Sequence, residues 1–206
     1  MAGMMSAMTV PAKPFDSAND AAEVRAFLAG DEGAFERLVD RYQRPILHLC
    51  QRLLGIEESK DLFQEVFLQA WRALPQLRSP GAFRTWLFRI TIRRARRRRL
   101  ARPGPAGLDN LDRFTAESEG DPIELSEELA RMRGSLARLP ERQREVVLLR
   151  HYEDLSFAEI AAVLGIREDA ARANHYQGLK RLRRELHVDS GGSDGSRGGR
   201  ERTDEP

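Results

Sequence analysis

The stretch that most constrains the fold runs from Ser156 to Leu186. Ser156 and Glu159 have the S-x-x-E spacing of a capping box, which marks the first turn of a helix. Apolar residues follow at helical spacing as far as Gly165, which suits a tight turn, and a second helix is predicted from about Arg167. A short helix, a glycine-containing turn and a longer helix that ends basic are typical of a helix-turn-helix, whose second helix enters the major groove of DNA.

The second of these helices has two unlike faces when its residues are spaced at about 100°. Its inner face carries Ala171, His175, Gly178, Leu179, Leu182 and Leu186. Its outer face carries Asp169, Arg172, Ala173, Tyr176, Lys180 and Arg183. The outer face begins with short or hydrogen-bonding side chains and ends basic, which suits base edges first and phosphates further along. A bundle helix with a solvated polar face is the alternative interpretation of this pattern.

The rest of the chain also predicts helices, with no strand pattern of useful length. Hydrophobic residues make up 41% of the 206, charged residues 32% and aromatic residues 7%, which favours helices with charged outer faces. Predicted helices cover residues 21–29, 31–54, 57–74, 83–100, 123–139 and 141–152, and Pro45 is expected to kink or break the second of them. The predicted fold class is all-α, with two small helical domains joined by a flexible acidic linker.

Composition shifts place the boundaries of these domains. We predict an unordered N-terminus over 1–18, a first domain over 19–101, a linker over 102–122, a second domain over 123–187 and an unordered tail over 188–206. The net charge of +2 hides a segregation of charge along the chain. A run of arginines spans 93–99 and an acidic stretch follows it over 109–128. Arginines on every side of one helix cannot all face a core, so we expect them to be solvated or bound to a polyanion.

Cysteine and histidine usage argues against a metal site or a cofactor. Cys50 is the only cysteine, so neither a disulfide within the chain nor a cysteine-based zinc site is available. The four histidines are scattered. The sequence shows no signal peptide pattern and no apolar run long enough to span a bilayer, so we expect no membrane insertion.

Two blocks of the chain resemble the extracytoplasmic-function (ECF) class of bacterial sigma-70 factors. The first block contains GAFERLVDRY, DLFQEVFLQAW and FRTWLFRIT in that order and resembles the promoter-melting domain, called region 2. The second block, LPERQREVVLLRHYEDLSFAEIAAVLGI, resembles the helix-turn-helix domain, called region 4. The resemblance implies a non-enzymatic subunit of the bacterial cytoplasm, with no cofactor and no small-molecule substrate. Its partners would be core RNA polymerase, through the β′ clamp and β flap, promoter DNA and, as in many relatives, an anti-sigma factor.

The resemblance also implies three sets of contact residues. Polymerase would be bound by Asp61, Gln64, Glu65 and Leu68, in the segment that matches the clamp-docking helix. The −10 element would be bound by Arg78 and Ser79, in the loop that captures a flipped base, and by Arg84, Arg89, Arg93 and Arg96. The −35 element would be bound by Arg167, Glu168, Asp169, Arg172, Ala173, Tyr176, Lys180 and Arg183. The acidic linker would extend toward the active-site and exit channels of the polymerase.

The sequence departs from the family pattern at two places. Arg93 and Arg97 stand where the family commonly has Asn and Asp, which suggests stronger phosphate contact. In the recognition helix the family commonly has a Thr-Val pair followed by Lys-Ser-Arg, whereas residues 170–174 are Ala-Ala-Arg-Ala-Asn here, so the family's −35 preference does not transfer.

Two other functions compete with the sigma-factor interpretation. One is a helix-turn-helix transcription regulator that binds an operator as a dimer, without polymerase. The other is a nuclease or recombinase in which Asp61 and Glu65, one helical turn apart, hold a metal ion. No further carboxylate or histidine obviously completes such a site.

Overall fold

The structure is a computed structural model that describes residues 17–101, 132 and 134–190, with side chains as far as residue 186. Its helices are α1 (Ser17–Leu28), α2 (Gly33–Leu54), α3 (Ile56–Ala73), α4 (Phe83–Leu100), α5 (Glu141–His151), α6 (Phe157–Leu164) and α7 (Glu168–Ser190). Two short 3-10 turns, Leu74–Gln76 and Pro80–Ala82, connect α3 to α4, and a helical segment over 134–138 precedes α5. The residues described here contain no strand, which confirms the all-α prediction.

Two predicted boundaries differ from the structure by a few residues. Helix α1 begins at Ser17, although residues 17 and 18 were predicted to belong to an unordered N-terminus. Helix α7 continues to Ser190, although the unordered tail was predicted from 188. The predicted linker over 102–122 and most of the predicted helix over 123–139 lie outside the described residues.

Helix α2 continues through Pro45 without a break, although a kink or a break was predicted there. The helix is assigned continuously from Gly33 to Leu54 with this proline inside it. Tyr42, Ile46 and Leu49, on either side of Pro45, are fully buried in the same core. Packing of both halves against that core offsets the loss of one backbone hydrogen bond, which costs about 3 kcal/mol in an isolated helix.

Helices α1 to α4 form the first helical unit, and a buried carboxylate attaches α1 to α2. Asp20 is fully buried and accepts hydrogen bonds from Arg41 and from the hydroxyl of Tyr42, which is also fully buried. Burial and the hydrogen bond to Asp20 raise the pKa of the Tyr42 hydroxyl, so it stays a donor. Charged hydrogen bonds of this kind are stronger than neutral ones and hold α1 in a single position.

The second helical unit comprises residue 134 to the end of α7, with α5 at its centre. The side chains from Val146 to Leu149 are all buried, so α5 is covered on every side. Ser156 and Glu159 form the predicted capping box at the start of α6, and Gly165 ends that helix in the left-handed conformation with φ of 65°. Helix α7 lies so close to α5 that a Cβ on Gly178 would stand 2.9 Å from Cγ2 of Val147.

The two units pack against each other, chiefly through α4 and α6. Helix α4 also contacts α1, α2 and α3 of its own unit, which explains why Leu87 and Phe88, on different faces of the helix, are both fully buried. The buried apolar side chains of the two units form one continuous cluster. None of the helices that the structure describes is long and apolar enough to cross a membrane.

Candidate nucleic-acid interface

The outer face of α7 is the first candidate surface for DNA. Every residue that the resemblance assigns to the −35 element is exposed: Arg167, Glu168, Asp169, Arg172, Ala173, Tyr176, Lys180 and Arg183. Arg172 is held by two contacts, since its Nη2 donates to Oε1 of Glu168 at 2.5 Å and its guanidinium carbon lies 4.8 Å from the centre of the Phe157 ring. The side chain is therefore partly ordered before any DNA is bound.

Two further α7 side chains turn away from this surface. The amide of Asn174 donates to the carbonyl oxygen of Ala170 at 2.8 Å, so it is engaged within its own helix. Nε2 of His175 lies 2.9 Å from Nε2 of His151 on α5. The ring centres are 5.1 Å apart and the planes differ by 19°, so the rings meet edge to edge. Burial, with the charges of His151 and Arg150, lowers the pKa of His175 and favours a neutral, packed imidazole.

The residues implied in polymerase docking lie on one face of α3. Leu68 is 57% exposed, and Asp61 and Gln64 are exposed beside it. Glu65 accepts a hydrogen bond from Arg98 of α4 at 2.6 Å, and Arg94 lies 4.0 Å away. The hydrogen bond from Arg98 lowers the pKa of Glu65, so this carboxylate is ionised and oriented. Trp71 is 38% exposed and packs edge-on against Phe27 and Phe35.

The structure divides the residues implied in −10 binding into two groups. Arg78, Ser79 and Arg93 are exposed. Arg84, Arg89 and Arg96 are half-buried and bind the second unit. Their acceptors are the carbonyl oxygen of Glu153, the carbonyl oxygen of Ala162 and the carboxylate of Glu145, respectively. The arginines of α4 were predicted to be solvated or bound to a polyanion, and several are instead paired with carboxylates and carbonyl oxygens of this chain.

A basic cavity lies between α3 and α4. Its volume is about 380 Å³, and its lining includes Trp86, Gln69 and four exposed or half-buried arginines, Arg89, Arg93, Arg94 and Arg97. Trp86 and Arg97 were absent from the candidate set. Trp86 lies at helical spacing from the apolar Phe83, Leu87 and Ile90, and only the packing of α3 beside α4 shows that its indole borders an open cavity. An aromatic ring beside guanidinium groups suits an unstacked base with its phosphates.

The arrangement of Asp61 and Glu65 does not suit a metal ion. Arg98 donates to Glu65 and lies 3.9 Å from Asp61, so a positive charge already stands between the two carboxylates. Across the side chains that the structure describes, no group of three or more potential metal ligands is found.

The fold and surfaces define a two-unit helical DNA-binding protein with a helix-turn-helix in its second unit. Family models match the chain as sigma-70 region 2 over residues 38–102 and as sigma-70 region 4 over 129–182. The ECF RNA polymerase sigma-E factor of Escherichia coli K12 is 35% identical over 147 residues, which cover 66% of this chain and 77% of that protein. The chain belongs to the sigma-70 family, in its ECF class, and this confirms the resemblance.

Further similarities agree with this family. The ECF sigma factor SigW of Bacillus subtilis is 29% identical over 170 residues, which cover 76% of this chain and 91% of SigW. The solved structure of CnrH in complex with the cytosolic domain of CnrY has 26% identity and a TM-score of 0.65. The match covers 83% of this chain and 99% of that chain. RpoE from Bartonella quintana, solved with the anti-sigma factor NepR, has 17% identity and a TM-score of 0.58, which supports the fold.

Proposed function

We propose that this protein binds core RNA polymerase, recognises the −35 and −10 elements of promoters and promotes DNA melting for transcription initiation. The observation that carries the proposal is the presence of regions 2 and 4, in that order, in one chain. Region 2 supplies a polymerase-docking helix and a basic helix for the −10 element, and region 4 supplies the recognition helix for the −35 element. Two weak DNA contacts on one chain together give a high overall affinity when the distance between them matches the spacing of the two promoter elements.

The −35 element is bound as duplex by the outer face of α7. Arg172 lies near the start of the helix, where it can donate two hydrogen bonds to one guanine. Lys180 and Arg183 lie further along and contact phosphates, which position the helix without choosing a sequence. Tyr176 lies between these two groups and contacts a base or a sugar.

The −10 element is bound as a melted strand by region 2. Extracting a base from the duplex costs a few kcal/mol, which a pocket for the extracted base must recover. Arg78 and Ser79 lie in the exposed turn before α4, and the cavity beside Trp86 offers an aromatic surface with Arg93 and Arg97 at its edge. Stacking on an aromatic ring contributes about 1–3 kcal/mol per base, so one or two such contacts match the cost.

Core polymerase is bound through the exposed face of α3, by Asp61, Gln64, Glu65 and Leu68 on the β′ clamp, while the second unit packs on the β flap. An exposed leucine between polar residues is what a protein-docking face requires. The domain boundaries we propose are those of the sequence prediction, adjusted so that α1 and α7 are complete.

Sigma factors are generally non-enzymatic initiation factors, and we infer that this chain has no catalytic activity of its own. Nucleotide addition belongs to the polymerase, and a bacterial cytoplasmic location follows from that partner. An anti-sigma factor is a further partner that we propose from the family to which the chain belongs.

The proposal is tested by run-off transcription with purified bacterial core polymerase and a library of promoter fragments, with and without this protein. We expect transcripts from a subset of fragments only when the protein is present, and alignment of that subset gives both promoter elements. If no transcripts form and the protein alone shifts DNA fragments, the protein is a helix-turn-helix regulator that acts without core polymerase.

A further inference from the structure

Three side chains converge on the ring of Phe157, the first residue of α6. The ring centre lies 4.8 Å from the guanidinium carbon of Arg172 on α7 and 5.1 Å from that of Arg150 on α5. Arg150 also donates from Nη1 to the carbonyl oxygen of Leu155 at 3.0 Å, which ties it to the turn before α6. His175 of α7 meets the same ring edge-on, with ring centres 5.3 Å apart and planes at 72°. The proposed base-reading arginine therefore rests on a ring that α5 and α7 both contact.

His175 is held beside this ring by its contact with His151 on α5. The two Nε2 atoms are 2.9 Å apart, which is the length of an N–H···N hydrogen bond. Such a bond needs one nitrogen that carries a proton and one that offers a lone pair. A first added proton can go to the outer nitrogen of the donor ring and leave the bond intact, whereas a second must take the lone pair. The bond therefore exists only while at least one of the two imidazoles is neutral.

The charges around the histidine pair oppose that second proton. The charged groups around the pair and the ring are Arg150 of α5 and, on α7, Arg172 with its partner Glu168. Helix α6 faces His175 with the uncharged ring of Phe157. Burial, with the charges of His151 and Arg150, lowers the pKa of His175 from the ordinary 6.5. The hydrogen-bonded pair is therefore complete above about pH 6.5 and is lost as the pH falls below that value and the second proton binds.

We infer that Phe157 is a positioning residue for Arg172 in −35 recognition, and that the histidine pair keeps its ring in place until both imidazoles carry a proton. Two imidazolium groups in contact repel each other, so His175 then leaves the edge of the ring. A guanidinium that has lost its support must be ordered by the DNA itself, which reduces its discrimination between bases. Phosphate contacts further along α7 do not involve this ring and are unaffected. The contacts stand on the structure alone, whereas the role in −35 recognition rests on the proposed function.

The positioning role is tested with holoenzyme reconstituted from the full chain and core polymerase. Two promoter fragments that differ at one base pair of the −35 element, taken in turn, compete for the holoenzyme, and the ratio of bound fragments measures discrimination. At the base pair where Arg172→Ala lowers this ratio, Phe157→Leu should lower it several-fold and Phe157→Tyr, which keeps the ring, should preserve it. Combined with Arg172→Ala, Phe157→Leu should have no further effect on the ratio. A ring that serves only stability would lower the unfolding temperature without this dependence on Arg172.

The histidine pair is tested by the same ratio at pH 7.5 and at pH 5.5. The unchanged chain should lose discrimination at the lower pH, and effects of pH on the polymerase cancel because both fragments share one reaction. The double variant His151→Leu and His175→Leu has no proton to gain at this site and should give one ratio at both pH values. His48→Leu removes an exposed histidine of the first unit and is the matched control, which should keep the pH dependence. In the free chain, NMR signals of the Phe157 ring should shift as the second proton binds.

The outcomes separate this inference from the proposed function. If Arg172→Ala lowers the ratio and Phe157→Leu does not, Phe157 has no positioning role and the proposed function stands. If the double histidine variant loses discrimination at pH 5.5 as the unchanged chain does, the histidine pair does not hold the ring for this purpose. If Arg172→Ala changes the ratio at no base pair, the proposed −35 contact is wrong and this inference fails with it.

Discussion

Arg172 of the recognition helix lies over the ring of Phe157, the first residue of α6, with its guanidinium carbon 4.8 Å from the ring centre. The capping box at Ser156 sets where α6 begins and therefore where this ring stands. The two helices of the helix-turn-helix are thus linked at the side chain that we propose contacts a base. Positioning of this kind reduces the entropy that the arginine loses when it binds.

Arg172→Ala should change or abolish sequence preference at the −35 element. A bidentate contact to a base contributes about 1–3 kcal/mol of discrimination, so the preferred base should lose its advantage at one position. Initiation from a template already opened at −10 should be unaffected. Selection of DNA fragments measures the −35 preference, and transcription from the pre-opened template measures initiation. Arg183→Ala is the matched comparison, because loss of a phosphate contact should weaken all sequences about equally. If Arg172→Ala keeps the original preference, the proposed orientation of α7 on DNA is wrong.

Leu68→Arg should weaken binding to core polymerase without unfolding the protein. Leu68 is 57% exposed on α3, so a charged side chain is tolerated in the free chain but not in an apolar contact. Affinity for core polymerase and the circular dichroism spectrum measure the two effects. Leu28→Arg makes the same change at a leucine 47% exposed on α1 and should leave affinity unchanged. Equal affinities of the two variants would remove α3 from the docking site.

Gly178→Ala should destabilise the second unit despite the better helix propensity of alanine. The new Cβ would stand 2.9 Å from Cγ2 of Val147, a buried side chain with few alternative positions, and 3.5 Å from Gln143. Overpacking costs about 1–3 kcal/mol, against a gain of about 1 kcal/mol in propensity. Thermal unfolding of the variant should therefore occur at a lower temperature. The double variant Gly178→Ala and Val147→Ala removes the clash. If close packing is the cause, the double variant should recover part of the drop in unfolding temperature.

Glu153 should make the folded structure less stable as pH rises from about 4.5 to 7. Glu153 is buried beside Arg52 and Arg84, and burial raises the pKa of its carboxyl from the ordinary 4.5 to about 7. A raised carboxyl pKa means that the folded state binds the proton more tightly than the unfolded state. The contribution of Glu153 to folding stability is therefore fully present below pH 4.5 and is lost as the pH rises to its folded-state pKa of about 7. At about 1.4 kcal/mol per pH unit between 4.5 and about 7, the effect reaches at most about 3.5 kcal/mol.

Urea unfolding of the wild-type chain and of Glu153→Gln, at pH 5 and at pH 7.5, measures this contribution. His175 acts in the opposite direction, because its lowered pKa favours the neutral form and its contribution is lost as pH falls. Subtraction of the variant's pH dependence from that of the wild type isolates Glu153, since both chains retain His175, Arg52, Arg84 and Asp154. A variant with the same pH dependence as the wild type would show that Glu153 does not titrate in this range.

Local patterns were sufficient for most of the fold and for part of the candidate site. The capping box of Ser156 and Glu159, the left-handed Gly165 and the bounds of α4 all depend on interactions between residues a few positions apart, which periodicity records directly. The same reasoning gave the exposed face of α7. At Pro45 the local rule predicted a kink or a break, whereas burial of both halves of α2 keeps the helix continuous.

Only the tertiary structure decided what the arginines of α4 contact. Arg96 and Arg98 have the same chemistry and lie two residues apart, yet Arg96 binds Glu145 of the second unit and Arg98 binds Glu65 of α3. The sequence determined that α4 is helical, that its arginines surround it and that the chain has two helical regions of the sigma-70 family. It did not determine their partners, because helical spacing gives the direction of a side chain, whereas the acceptor in that direction depends on how distant helices pack.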